Sequence, residues 1–241
     1  MRCYQSSKSA LLFLTFFFCL GFVVNAQQNI KVKKKDRKKD VEMVTTKGVI
    51  IIRLSDSTPL HRDNFIRLVK SHFYDSIIFH RVIQNFMIQA GDPTTKRMTP
   101  ETKAGEGDPG YTVPAEFRLG LYHKKGVIAA ARTSDDVNPL KASSGSQFYL
   151  VQGKVFTDAG LDSVETYRLK GKKIPETQRQ VYKTVGGTPH LDQNYTVFGE
   201  IISGYEVVET IAAVPTSGPS TNYKPIDDVR IVTIKLVKRK K

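Results

Sequence analysis

Ordered alternation of apolar and polar positions begins near Glu42. Val49 to Leu54 is apolar and largely β-branched, and Gly48 before it predicts a hairpin with its turn between Met43 and Thr46. Thr58-Pro59 marks a helix start, since threonine can cap and proline suits the first helical position. Phe65, Leu68, Val69 and Phe73 then recur at helical spacing and predict a helix over 59–71 with one buried stripe. Short strands are expected at Ile77 to Ile83, Phe86 to Ala90, Gly126 to Arg132, Gln147 to Gln152 and Thr196 to Ile202. Tyr205 to Ala213 reads as a second core helix and Asp228 to Val237 as a last strand. Many short strands with only two core helices predict a mainly β fold, a closed antiparallel barrel.

Two stretches interrupt this pattern. Residues 134–144 form a polar loop. Residues 154–188 are longer and basic, with short helices expected at Asp162 to Leu169 and Glu176 to Lys183, packed outside the barrel. Ahead of the fold, residues 27–41 are polar, basic and aperiodic, the pattern of a flexible linker.

The first 26 residues read as a targeting segment. Arg2 and Lys8 make a positive start, Ala10 to Val24 is almost wholly apolar, and Val24-Asn25-Ala26 resembles a signal-peptidase site. An anchor is the rival reading, but a helix over 10–24 would be only about 22 Å long against a hydrocarbon core of roughly 30 Å. Lipidation at Cys19 is disfavoured by bulky Phe17 and Phe18. Export follows, with the bacterial periplasm as the expected destination. Both cysteines, Cys3 and Cys19, lie in this leader, so the chain expected after cleavage has no thiol for a disulfide, nucleophile or metal ligand.

Lysine and arginine number 37 against 23 aspartates and glutamates, a formal charge of +14. Such a balance suits nucleic acid or an anionic membrane. Its placement argues against a specific nucleic-acid partner, because many cations sit in two terminal runs, Lys31 to Lys39 and Lys235 to Lys241. These read as solvated tails that touch anionic membrane surfaces weakly and non-specifically.

The motifs exclude several chemistries. No P-loop is present, and the five histidines at 61, 72, 80, 123 and 190 show no metal-ligand spacing. No G-x-S-x-G elbow appears, so Ser146 reads as structural. Asn194-Tyr195-Thr196 matches a glycosylation sequon at a strand start, where chance occurrence is the simpler reading.

One segment is unusual. Phe79-His80-Arg81-Val82-Ile83-Gln84-Asn85-Phe86-Met87-Ile88-Gln89-Ala90-Gly91-Asp92 embeds an arginine and a glutamine in two apolar strands. Alternation places Phe79, Arg81 and Ile83 on one face, with Ile78, His80 and Val82 on the other. On periodicity alone this is a half-exposed strand with a solvated arginine. The segment resembles the signature of cyclophilins. Gly145-Ser146-Gln147-Phe148-Tyr149 is similar to their second motif, and Leu191-Asp192 with Tyr195-Thr196-Val197-Phe198-Gly199-Glu200 to their third. Asn64-Phe65 also fits, and the motifs occur in the family's order. The resemblance covers about residues 43–237.

The resemblance implies a closed eight-stranded antiparallel β-barrel capped by two α-helices, with the partly helical segment inserted, over residues 42–241. It implies cis/trans isomerisation of Xaa-Pro bonds, acting on proline-containing polypeptides, by a monomer with no cofactor and no metal. By the same resemblance Arg81, Phe86, Gln89 and Tyr195 are catalytic, and Met87, Ala131, Arg132, Gln147, Tyr149, His190 and Leu191 bind substrate. His190 stands where many members have tryptophan, Tyr195 where many have histidine and Arg132 where many have asparagine. A module that holds proline segments without turning them over is the alternative, as is an envelope-associated structural protein acting through its tails.

Overall fold

The computed structural model describes residues 30–99 and 101–239; the expected leader lies outside them. β1 (Lys39–Thr45) and β2 (Gly48–Leu54) form a hairpin in which Thr45 faces Gly48 across a two-residue loop. The turn thus falls at 46–47. Gly48, at φ 138°, is required there: a Cβ would stand 2.7 Å from a Val207 methyl.

The remaining strands are β3 (Arg81–Ile83), β4 (Met87–Ala90), β5 (Thr112–Val113), β6 (Val127–Ala130), β7 (Ser143–Ser144), β8 (Phe148–Val151), β9 (Val197–Ser203) and β10 (Ile231–Lys238). Eight of them make one antiparallel sheet in the order β10-β1-β2-β9-β6-β8-β4-β3, and β5 pairs with β7 alone.

The expected closed barrel is not what forms. The sheet curls into a half-barrel with β10 and β3 as its ends. Only an isolated bridge between Ile78 and Arg230 and a few backbone bonds, such as Phe79 N–H to Val229 at 2.8 Å, cross the gap. The cause is local. Opposite β3 the chain carries Pro215, Pro219 and Pro225, with Asn222 and Tyr223 at positive φ. Such backbone cannot continue a ladder, and it accepts one bond from β3, Val82 N–H to Tyr223. The expected strand over 77–83 therefore shortens to three residues.

The concave face holds the main core. α1 (Pro59–Lys70) contributes Phe65, Ile66, Leu68 and Val69, and α4 (Tyr205–Ala212) contributes Val207, Val208, Ile211 and Ala212. Phe79 and Val82 both enter this core, so strict alternation fails ahead of Arg81. Thr58 makes no side-chain cap; the Glu116 carboxylate accepts from the first N–H groups, Leu60 at 3.2 Å and His61 at 3.0 Å.

The insertion folds as expected into helical pieces, α2 (Asp158–Ser163), a π-helical turn over Val164–Arg168 and α3 (Glu176–Thr184), around a small core of Leu161, Ile174 and Tyr182. Buried Glu165 binds Lys173, Arg179 and the Ile174 N–H; burial alone would raise its pKa, but these partners hold it at about 2. The basic linker is ordered further forward than its composition suggests. Asp36–Lys38 forms a turn pinned by the Arg37–Asp63 and Lys70–Asp36 pairs, and Lys39 to Val41 already belong to β1. At the other end Lys235 and Lys238 lie in β10, with Lys235 paired to Glu42. Among the described residues no helix is long and apolar enough to cross a membrane.

Candidate active site

The period-two alternation of β4, β6 and β8 sends Ile88, Ala90, Ile128, Phe148 and Leu150 into the main core. The same alternation turns Met87, Ala129, Ala131, Tyr149 and Val151 to the convex face, where Val197 joins them. Phe86, Leu191 and Tyr195 pack against this second cluster as partly buried walls. Its floor is apolar and nearly dry: Met87 is 2 % exposed and Tyr149 4 %.

Arg81 and Gln89 stand directly opposite each other in the β3–β4 ladder, on the same face as this cluster. The loop between the two strands, with Asn85 at φ 60°, presents Phe86 beside Arg81, whose guanidinium carbon lies 6.0 Å from the Phe86 ring centre. Arg81 Nε is buried with no hydrogen-bond partner. Burial lowers the Arg81 pKa from its ordinary value, yet an arginine remains charged at neutral pH. Gln89, although it faces Arg81 across the ladder, makes no hydrogen bond to this guanidinium. It donates to Gln147 Oε1 at 3.0 Å, and Gln147 in turn donates to the carbonyls of Gly105 and Gly107 at 2.9 and 2.8 Å.

These carbonyls are placed by Asp92. Its buried carboxylate accepts from Thr94 N–H and Oγ1 and from Gly105 and Gly107 N–H. Burial alone would raise its pKa; the four donors outweigh that and keep it below the usual carboxylate range. Beside Gln147 opens a cleft of about 840 Å³ lined by Gln89, Tyr111, Ala131, Arg132 and Gln147 among others. The Arg132 side chain lies over the Tyr195 ring at 4.6 Å, donates to the Asn194 carbonyl and pairs with Asp135. It thus braces Tyr195, while the buried Ala131 next to it has its backbone already paired, its N–H donating to the Gln147 carbonyl and its carbonyl accepting from the Ser144 N–H.

His190 stacks on Phe86, ring centres 5.5 Å apart, and closes the far rim. Burial lowers its pKa to about 4, helped by the Arg168 charge, so it is neutral at pH 7. The residues expected from the sequence therefore gather on this face: Met87, Tyr149, Leu191 and Tyr195 in the apolar cluster, Gln89, Ala131, Arg132 and Gln147 at the cleft, and Arg81 and His190 against Phe86.

A positioning network escaped the sequence reading. His123 is wholly buried, and its Nδ1 lies 2.9 Å from Asp192 and its Nε2 2.9 Å from the Tyr149 hydroxyl. A carboxylate only accepts, so Nδ1 carries the proton and the Tyr149 hydroxyl donates to Nε2. Asp192 also accepts from His123 N–H and from the Tyr182 hydroxyl at 2.6 Å, tying the insertion to the pocket floor. The partners lie 69 and 26 residues from His123, and no short motif announces them. Among the described residues no cluster of histidine, cysteine and carboxylates could hold a metal ion.

A family model described as "Cyclophilin type peptidyl-prolyl cis-trans isomerase/CLD" matches residues 40–236. Proteins of Staphylococcus haemolyticus and Staphylococcus aureus, each named "Putative peptidyl-prolyl cis-trans isomerase", are similar to this chain. The first is 35 % identical over 83 % of this chain and 92 % of its own length. The second is 36 % identical over 86 % and 95 %. A crystal structure of a Cryptosporidium parvum cyclophilin type peptidyl-prolyl cis-trans isomerase aligns at a TM-score of 0.60 and 24 % identity, over 84 % of this chain and 99 % of that one. A second crystal structure of that protein, in the presence of the dipeptide Ala-Pro, aligns at 0.60 and 25 %, over 83 % and 99 %. The half-barrel, the convex pocket with its arginine and these matches agree: the chain belongs to the cyclophilin-type peptidyl-prolyl cis-trans isomerase family.

Proposed function

We propose that this isomerase acts on Xaa-Pro bonds of exported polypeptides, binding the proline ring on Met87, Tyr149 and Leu191 and using Arg81 to stabilise the twisted imide. An Xaa-Pro bond isomerises over tens to hundreds of seconds, because rotation breaks amide resonance against a barrier of roughly 18–20 kcal/mol. No covalent bond changes. The enzyme needs a dry grip on the proline and a donor that pairs better with the twisted state than with the planar one. In the twisted state the imide nitrogen regains its lone pair and accepts a hydrogen bond.

The observation that carries this reading is Arg81 Nε, buried at the edge of an apolar pocket and without an internal partner. Its donor is free to meet developing charge without first breaking a bond inside the protein. Gln147, tied to the Gly105 and Gly107 carbonyls, and Gln89, which donates to Gln147, would support the peptide flank beside it, and the Arg132 backbone would pair with the extended substrate. Tyr195, braced by Arg132, would close the pocket over the proline. The dipeptide in the Cryptosporidium structure supports proline as the occupant.

Export rests on the leader and on the predicted cleavage after Ala26 in a bacterial envelope. The test is exchange NMR on a proline peptide with the chain from Gln27 onward, together with mass spectrometry of the secreted protein. Faster exchange and a mature N-terminus at Gln27 are expected. Binding without exchange would make the domain a proline-peptide holder; an uncleaved or lipidated chain would refute the export reading.

A further inference from the structure

The insertion creates a second depression that shares a wall with the proline pocket. It encloses about 420 Å³ between the β3–β4 loop and the inserted segment. Ile83, Asn85 and Phe86 line one side, Phe156, Val164 and Arg168 the other, and Gly187, Thr188 and His190 lie between, with Lys154 at the edge. Phe86 and His190, stacked on each other, separate this depression from the proline pocket. Its lining shares no residue with the cleft at Gln89 and Gln147, so a peptide whose proline sits between the two would reach each with one flank.

The two ends of the insertion hold this wall in place. A Cβ on Gly153 would stand 2.4 Å from the Gly187 Cα, so the two backbones meet in van der Waals contact. Lys154 and Gly187 exchange backbone hydrogen bonds at 3.0 and 3.3 Å.

Two features point to the occupant. The first is charge. Lys154 and Arg168 are the charged residues lining the depression, and both are exposed. The buried carboxylate on their side, Glu165, is taken by Lys173 and Arg179, and Asp192 behind His190 is taken by His123 and Tyr182. Neither Lys154 nor Arg168 forms an ion pair among the described residues; the Lys154 ammonium rests 5.2 Å over the Phe156 ring. The second is an orphaned polar atom. Thr188 is 2 % exposed and lines the depression, and its Oγ1 has no hydrogen-bond partner. Buried hydroxyls are nearly always paired, so an unpaired one at a binding surface signals a missing partner.

We infer that this depression is a specificity subsite that takes a glutamate side chain flanking the proline, its methylenes on Phe86, Phe156 and Val164 and its carboxylate toward Lys154, Arg168 and Thr188. The inference rests on the isomerase reading above and adds a substrate preference to it. Wild-type exported polypeptides with an acidic residue near a proline would be turned over preferentially. Because the contact persists whether the imide is planar or twisted, the preference would act through KM more than kcat.

The experiment uses the full chain and peptides capped at both ends, each with one proline and with glutamate, glutamine or lysine at one of the three positions before or after it. Exchange NMR gives kcat and KM. At one position on one flank, glutamate should raise kcat/KM over glutamine by about threefold to tenfold, the range for two partly exposed ion pairs, with lysine the poorest. The gap should shrink at about 0.5 M salt. In the Lys154→Glu/Arg168→Glu double variant the ranking should reverse in favour of lysine. Equal turnover of glutamate and glutamine peptides at all six positions, or an unchanged ranking in the double variant, overturns the subsite and leaves the isomerase reading standing. A companion peptide left uncapped at its C-terminus is run beside them, and a gain confined to it also overturns the subsite, since the site would then read a chain end. Failure to turn over any of the peptides would instead defeat the isomerase reading.

Discussion

Asp192→Ala removes the acceptor of three hydrogen bonds at once. His123 N–H and Nδ1 lie 2.8 and 2.9 Å from its Oδ1, and the Tyr182 hydroxyl 2.6 Å from its Oδ2. Each bond to a charged group contributes about 1.5–3 kcal/mol. The full sum will not be lost, because the Asp192 side chain is 11 % exposed and water can reach part of the vacated space. The two His123 donors are different, since that residue is wholly buried and water cannot replace the carboxylate there. We therefore expect a loss of about 3–5 kcal/mol, a large share of the roughly 5–15 kcal/mol that stabilises a typical domain. Asp192→Asn should lose less, about 1–2 kcal/mol, because the amide oxygen still accepts from His123 and the Tyr182 hydroxyl can turn to accept from the amide NH₂. Urea denaturation followed by circular dichroism gives both values. In the folded Asp192→Asn protein the Tyr149 ring is less firmly held, and kcat/KM on a proline peptide should fall about tenfold. An Asp192→Ala protein within about 1 kcal/mol of the parent would refute the network as a stabilising element.

Gln147→Ala removes the bonds to Gly105, Gly107 and Gln89 and should lower kcat/KM about tenfold, mainly through KM, on the scale of one or two lost hydrogen bonds; unchanged steady-state kinetics would contradict its role in holding the peptide flank. Stability should fall as pH drops from about 6.5 to about 4. Burial lowers His80 and His190 to about 4 and also lowers His61, whereas the unfolded chain binds these protons near 6.5, so acid favours unfolding in that window by about 2–3 kcal/mol for a well-buried histidine. His80, whose two ring nitrogens lack partners, is the cleanest test: His80→Leu should show a flatter urea midpoint between pH 7 and 4.5, and equal slopes would dismiss it as a contributor.

Local signals were legible where one residue type dictates one conformation. Pro59 and the Phe65, Leu68, Val69 stripe located α1 to within a residue of its observed end. The length of the insertion likewise argued for helical pieces, although the first begins at Asp158 and not at Asp162. What was not legible depends on partners distant in sequence. The strand over 77–83 looks continuous by composition, but the proline-rich segment opposite cannot pair with it, and the barrel stays open. Glu116 rather than Thr58 completes the start of α1, from more than fifty residues away. The site residues could be named because their motifs are local. Their mutual bonds could not: Gln89 turns to Gln147 and not to Arg81, Arg132 turns to Tyr195, and His123 enters the site through contacts that no spacing predicts.

The central claim is that Arg81 accelerates rotation by pairing with the twisted imide. Arg81→Ala leaves the fold intact, because Nε has no internal partner to lose and the side chain stands at the pocket edge. Exchange NMR on a proline peptide, with circular dichroism to confirm folding, measures turnover and affinity in one sample. The account predicts a fall in turnover of about 10²–10³, equivalent to roughly 2.7–4 kcal/mol, with a much smaller change in peptide affinity, and impaired turnover in Arg81→Lys because an ammonium lacks the planar fork. A folded Arg81→Ala protein that turns the peptide over at the parent rate would contradict the mechanism and leave the apolar pocket alone to explain catalysis.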